Sequence, residues 1–329
     1  MSESTGQQRN EMGRGRGAAW PSEIPLRGWW DIAWRVWGKM QSDRVLLVAA
    51  GATFYLLLAL FPAMTAFVST YGLFADPAVV ARHVAGLARL LPDGGLAIIQ
   101  DRLENLVSQD RGALGFGFTF GILFAYWSAN NGMKTLFEAL NIAYGETEAR
   151  SFIWLNLTAL LFTICAMITI VLLIAALGVV PIVLGYLHLG GIAETLISML
   201  RWAVLVGAVA IGIALLYRFG PSRSRAKWRW ITIGSAFATI VWLGASVGFS
   251  IYIRNFANYE AVYGSLGAVI GFMMWTWISV TILIVGAEIN AAMEHQTASD
   301  STVGEARPMG ERGAFVADTL GKSASSPDA

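Results

Sequence analysis

The chain has 329 residues, of which 56% are hydrophobic and 14% charged, with a net charge of +1. Average soluble domains carry roughly 25% charged residues, so this composition excludes an ordinary water-soluble globule; the net charge itself says little, because distribution matters more than the sum. The single cysteine, Cys165, excludes an intrachain disulfide and a cysteine metal cluster.

Taken in chain order, residues 1–27 are polar and rich in Gly and Arg and read as a disordered cytoplasmic segment, with no cleavable signal peptide. Residues 28–40 place Trp30, Trp34 and Trp37 at helical spacing beside Arg35 and Lys39. That pattern suits an amphipathic helix on the cytoplasmic leaflet and equally a soluble-type helix docked on a bundle. Residues 45–71 hold no Asp, Glu, Lys or Arg and exceed the ~20 apolar residues needed to cross a ~30 Å hydrocarbon core. Pro62 cannot donate to Leu58, so a kink is expected there. It reads either as a static bend or as a hinge lining a cavity.

Residues 72–112 form a long connection in which Leu96, Ile99, Leu103 and Leu106 recur at helical spacing, read as a helical cap on the extracytoplasmic side. A second span over 113–134 closes on Asn130, Asn131 and Lys134. From Ser151 to Ala193 there is again no charged residue, too long a stretch for one ordinary span. We end the third span, 152–180, at Pro181 and read residues 181–200 as interfacial or re-entrant. The remaining spans are placed at 202–218, 230–253 and 264–290, the last closing on Glu288 and Asn290. The tail, 296–329, is rich in Ser, Gly, Ala and Asp and reads as disordered and cytoplasmic.

Orientation follows from Lys and Arg, which favour the cytoplasmic side. The N-terminal segment, the second-to-third and fourth-to-fifth connections and the tail together hold 17 of the 23 basic residues, leaving 6 on the other side. The expected architecture is therefore an all-α polytopic membrane protein: six transmembrane helices over residues 28–295, both termini cytoplasmic, an amphipathic N-terminal helix and an outer helical cap.

Signatures of chemistry are sparse. His83, His188 and His295 lie in separate connections and make no shared metal site. The run Gly244–Ala245–Ser246–Val247–Gly248 matches a G-x-S-x-G elbow in form, but that elbow needs a strand-to-helix turn and an activating base. Here it falls within a helix, so we read its small residues, like Gly117/Gly121 and Gly267/Gly271, as helix-packing positions, within one chain or between subunits. Lys134 and Glu288 approach the same face and are free to pair, or else simply snorkel. Arg254, Asn255, Asn258, Tyr259, Glu260 and Tyr263 crowd one outer turn, read as a hydrogen-bonded cap of two helices or as an entrance for a polar group. The loop carrying Arg218, Arg223, Arg225, Lys227 and Arg229 reads as a topology signal and a contact for anionic lipid, not as a nucleic-acid surface, since it lacks a groove with stacking platforms.

Several stretches together resemble the YihY/virulence factor BrkB family, historically labelled ribonuclease BN. They are Ala49–Tyr55 with Leu60–Phe61–Pro62, Trp127–Ser128–Ala129, Leu140–Tyr144 with Arg150, Tyr217–Pro221, Asn255–Phe256 through Tyr263–Gly267, and Gly286–Asn290. The resemblance covers about residues 30–295 and implies a bacterial inner-membrane protein with six helices and cytoplasmic termini. It brings no settled activity; transport, lipid translocation included, is what has been proposed for members, and no catalytic residue carries over.

The reading that results is a membrane transporter or flippase for a lipid or amphiphilic solute, not an enzyme, needing no cofactor or metal. The candidate pathway residues are Tyr55, Pro62, Asn130, Lys134, Arg254, Asn255, Tyr263 and Glu288. Its expected partners are membrane lipids, with a homo-oligomer or an envelope protein also compatible. The alternative is a non-catalytic envelope scaffold.

Overall fold

The computed structural model describes residues 13–74, 111–187, 191–255 and 264–324. Among these residues the secondary structure is helical: α1 (Leu26–Ser42), α2 (Val45–Phe74), α3 (Arg111–Tyr144), α4 (Phe152–Leu187), α5 (Gly191–Phe219), α6 (Trp228–Asn255), α7 (Gly267–Glu294) and the short α8 (Phe315–Asp318). Single 3-10 turns precede α1 and α7. The cap expected at 72–112 falls almost wholly outside the described residues, apart from the helix ends that reach into it.

Among the described residues, five helical stretches are long and apolar enough to cross a membrane: Val45–Ala63, Phe152–Leu173, Leu196–Phe219, Trp228–Arg254 and Gly267–Glu294. Many large side chains of α4, Ile153, Leu161 and Leu172 among them, are exposed. Meanwhile Asn141, Glu288, Asn290 and Glu294 are buried. Apolar outside and polar inside is the inverse of a soluble domain and suits hydrocarbon as solvent.

Helix α1 is amphipathic as expected. It buries Gly28, Asp31, Ile32 and Val36 and exposes Trp30, Trp34 and Trp37 on its other face. Arg44, at φ 49°, turns the chain from α1 into α2. Pro62 lies inside α2, which continues beyond it to Phe74.

Helix α4 departs from the sequence reading. It does not stop near Pro181 but runs 36 residues to Leu187, and α5 begins at Gly191, so helix occupies most of the stretch read as re-entrant. The reason is the solvent. Proline removes one backbone bond, whereas unwinding an apolar segment in hydrocarbon strands several. At about 54 Å, α4 is much longer than a ~30 Å core.

The chain divides into two compact units. The first comprises Met1–Ala49, Lys134–Gly244 and Val280–Ala329; the second comprises Ala50–Met133 and Ala245–Ser279. Within the second, Ser128 Oγ donates to the Tyr55 carbonyl at 2.8 Å, joining α3 to α2. There Trp275 Nε1 donates to Ser246 Oγ at 3.2 Å, joining α7 to α6. Ser246, the centre of the G-x-S-x-G run, is thus a helix-to-helix bond.

Within the first unit, α3 ends in a Schellman turn: Gly145 N–H bonds to the Ile142 carbonyl and Glu146 N–H to the Asn141 carbonyl. Gly145 adopts φ 69°, and a Cβ there would strike the Phe315 ring. Helices α6 and α7 approach closely at Gly234 and Gly286. A Cβ on Gly234 would collide with the Gly286 carbonyl, and one on Gly286 with the Tyr217 hydroxyl. Gly244 and Gly248, expected as packing positions, meet nothing within 4 Å among the described residues.

Both ends of the chain also differ from expectation. Residues 13–27 and 296–324, read as disordered, fold together within the first unit. Arg14 binds Asp31 at 2.6 and 2.8 Å, Thr297 Oγ1 donates to the Ala18 carbonyl at 2.6 Å, and Ala298 N–H to the Arg16 carbonyl. The Asp318 carboxylate accepts the backbone N–H groups of Gly310, Arg312, Gly313 and Ala314. The buried Arg312 guanidinium donates to the carbonyls of Ala298, Arg307 and Ala317. A tail with few apolar residues is ordered here because its charges satisfy backbone groups.

Gly286→Val is expected to destabilise the detergent-solubilised protein by about 1–3 kcal/mol through overpacking, read as a lower midpoint of thermal unfolding. Gly244→Ala is expected to leave that midpoint unchanged.

Candidate functional site

The polar side chains of the first unit gather into one buried network where helices end. Lys39, near the end of α1, places Nζ 3.6 Å from Asp43 Oδ2 and 3.6 Å from Glu288 Oε2, and donates to the Ala143 carbonyl at 2.7 Å. That carbonyl lies in the last turn of α3, where a cation is favoured. Glu288 is fully buried on α7. Neither of its carboxyl oxygens receives a hydrogen bond among the described residues, and the same holds for Asp43 Oδ2. Two carboxyl groups thus share one ammonium in an apolar surround of Val45, Val48, Ala139, Ile142 and Ile284.

Nearly two turns further along α7, Glu294 forms a two-pronged bond with Arg223, at 2.7 and 3.2 Å. Ser301 Oγ adds a third donor to Glu294 at 2.6 Å. The Arg223 guanidinium also lies 4.9 Å from the centre of the Tyr144 ring. Asn290 Oδ1 accepts Gly234 N–H at 2.8 Å, and Tyr217 Oη donates to the Leu283 carbonyl at 2.7 Å. On the other side of α3, Asn141 accepts Ser222 N–H and donates to Glu148. Arg150 holds Glu148 with two bonds of 2.7 Å and reaches the Gly220 carbonyl at 2.8 Å. These Arg150 bonds outweigh burial and hold the Glu148 carboxyl down at about 2.

The stretches that suggested a family from sequence supply much of this network: Asn141, Tyr144 and Arg150; Tyr217, Gly220 and Pro221; Gly286, Glu288 and Asn290. Scattered along the chain, they meet in one unit. The virulence factor BrkB family matches the chain over residues 36–309. This chain belongs to that family.

Among relatives, the ribonuclease-like protein YfkH of Bacillus subtilis is 32% identical over 250 residues, covering 74% of this chain and 88% of YfkH. The UPF0761 membrane protein Bxeno_A3061 of Paraburkholderia xenovorans is 27% identical over 263 residues, covering 78% of this chain and 58% of that protein. A UPF0761 membrane protein of Vibrio cholerae is 26% identical over 269 residues, covering 80% and 87%. The chain spans only a little over half the length of several of these relatives. No solved structure matches it.

In this BrkB-family chain the residues singled out from sequence are dispersed. Lys134 Nζ bonds to Asn156 Oδ1 at 3.1 Å, so the pairing of Lys134 with Glu288 gives way to that of Lys39 with Glu288. Two helix-end residues at the same level have no defined azimuth in a sequence, and Lys39 arrives from a helix read either as interfacial or as docked on the bundle. Tyr55, Pro62, Asn130 and Arg254 belong to the second unit; Asn130 is buried and Arg254 exposed. Tyr263 and the side chain of Asn255 lie outside the described residues.

The basic loop turns partly inward. Arg223, expected to face anionic lipid, is instead the buried partner of Glu294, since its short loop folds back over the end of α7. Lys227 Nζ bonds to the Asp300 carbonyl at 2.9 Å. Arg218 stacks on Trp228, Arg225 on Phe219 and Arg229 on Trp20, at 4.3, 5.1 and 4.5 Å. Sequence reasoning missed Lys39, Asp43 and Glu294 as site residues. The i,i+4 spacing of Lys39 and Asp43 was the available signal.

Arg223→Ala is expected to cost about 3–5 kcal/mol, because it strands a buried carboxylate; Arg223→Met combined with Glu294→Leu recovers most of that loss. Denaturant unfolding in detergent measures both. For Glu148, whose folded pKa of about 2 lies below its ordinary 4.5, the stabilisation is complete above pH 4.5 and is lost as pH falls toward 2. Glu148→Gln is therefore expected to destabilise at pH 7, with the gap from wild type closing across that window in pH-dependent melting curves.

Proposed function

We propose that this protein is a membrane transporter or flippase for a lipid or an amphiphilic solute, working without a nucleotide site of its own. In this reading six helices, α3 included, cross a bacterial inner membrane, with both termini in the cytoplasm. The observation that carries it is Glu288. A carboxyl group fully buried on an apolar helix, facing Lys39 and Asp43 and receiving no hydrogen bond among the described residues, is costly in a membrane protein. Ionisable groups so placed mark solute or proton pathways. The exposed α1 tryptophans and the stacked Arg218, Arg225 and Arg229 give the protein a surface suited to lipid headgroups.

We read no ribonuclease chemistry into the network. Glu294 is occupied by Arg223 and Ser301, and Glu148 by Arg150 and Asn141. The word ribonuclease-like in the name of YfkH belongs to that relative. The alternative, a non-transporting envelope scaffold, is favoured by the tight closure of α6 on α7 at Gly234 and Gly286.

Reconstitution in liposomes with a labelled lipid tests the proposal. Wild type is expected to translocate the label well above protein-free vesicles. Glu288→Gln is expected to lose most of that gain while remaining folded, and Lys134→Ala, whose partner is Asn156, to retain it. Translocation equal to protein-free vesicles would favour the scaffold.

A further inference from the structure

A cavity of about 490 Å³ opens in the first unit between α1, the end of α7 and the C-terminal segment. Its volume lies within the range of small-ligand sites. Trp34, Arg35, Lys39, His295, Val316 and Lys322 form much of its wall, and no Asp or Glu lines it among the described residues. Arg35 is fixed in place: Nε donates to the Asp31 carbonyl at 3.3 Å and one terminal nitrogen to the Ala292 carbonyl at 3.2 Å. Lys322 reaches the same wall from the tail and is exposed. A concave site with two anchored cations, an exposed third, a histidine and a largely apolar remainder fits an anion with an organic body.

We propose that this cavity binds a phosphate group, the chemistry shared by acidic lipid headgroups and soluble phosphate esters, with Arg35, Lys39 and Lys322 supplying the charge. His295 lies beside the same cations. Burial first, and then Arg35, Lys39 and Arg16, lower its pKa to about 4. The groups facing it are Arg16 from the N-terminal segment, Arg35 and Lys39 from α1, and Thr319 from the tail, whose hydroxyl lies 3.0 Å from Nε2. At neutral pH the ring is uncharged and retains one N–H. A bound phosphate would oppose the cationic field and raise the His295 pKa, and by reciprocity the anion would bind more tightly as pH falls through the raised value. Trp34 joins this wall to the exposed Trp30/Trp34/Trp37 face, where an acyl chain would find interfacial aromatics. The site goes beyond transport and stands even for a protein that moves nothing.

The test uses the full chain in phosphatidylcholine nanodiscs, titrated separately with short-chain phosphatidic acid, glycerol phosphate and short-chain phosphatidylcholine. Binding is read by tryptophan fluorescence and by the imidazole resonances of His295. Saturable binding of phosphatidic acid is expected, with the His295 pKa rising from about 4. Lys322→Glu should weaken that binding about tenfold, and Lys322→Ala by less, with unchanged melting curves because the side chain is exposed. Binding by phosphatidic acid alone identifies a lipid headgroup as the source; equal binding by glycerol phosphate identifies a soluble ester. No movement of His295 with either phosphate, equal binding of phosphatidylcholine, or undiminished binding by Lys322→Glu overturns the proposal. Loss of lipid translocation with this binding intact would remove the transport reading and leave the site.

Discussion

The ion pair of Arg223 and Glu294 is the joint of the first unit. Removing each charge from water costs several kcal/mol, and an isolated pair rarely recovers this. Here the geometry is two-pronged, Ser301 supplies a further donor, and the Tyr144 ring lies against the guanidinium. Each partner comes from a different part of the chain: the loop between α5 and α6, the end of α7, the C-terminal segment and the end of α3. The pair therefore fixes where four segments meet, and the other bonds of the network form on that frame.

The same solvent argument explains the division of labour along each helix. In hydrocarbon an unsatisfied polar group has no water to turn to, so the charged and amide residues of α7 collect in its last two turns. There Glu288, Asn290 and Glu294 each meet an incoming group: Lys39, the Gly234 amide and Arg223. The middle of α7 carries no charged or amide side chain, and its hydroxyls at Thr276 and Ser279 bond back to the helix's own carbonyls. Gly234 and Gly286 let α6 and α7 approach closely enough for Asn290 to reach the Gly234 backbone amide. This is why the most ordered polar chemistry and the smallest residues occur at the same level.

Much of the fold was legible because apolar length is a one-dimensional property. Helices α2, α4, α5, α6 and α7 start within a few residues of the expected spans, apart from the earlier start of α5, and the Trp30/Trp34/Trp37 pattern fixed the exposed face of α1. What was not legible depended on three dimensions or on competing local energies. Pro181 looked like a stop, yet the backbone has no better partner than helix in that setting. The tail looked disordered by composition, yet Asp318 and Arg312 each bind several backbone groups, a role that hydropathy does not register. Glu288 was identified from its cost in an apolar helix, but its partner was not. Lys134 and Lys39 are equivalent in sequence terms, and only the azimuths of α1, α3 and α7 distinguish them.

Lys39 connects the two sites, and that connection has a thermodynamic consequence. Its ammonium compensates the buried pair Asp43 and Glu288 while its side chain lines the cavity beside His295. Only three N–H donors are available, and one is committed to the Ala143 carbonyl. An anion that draws the ammonium toward the cavity weakens the compensation at Glu288, and whatever changes the charge of Glu288 changes the pull on the ammonium in return. Linkage requires the two effects to be equal in free energy. A buried carboxyl group in the bundle and an anion site at its rim are thus two ends of one electrostatic element, joined through a single flexible side chain.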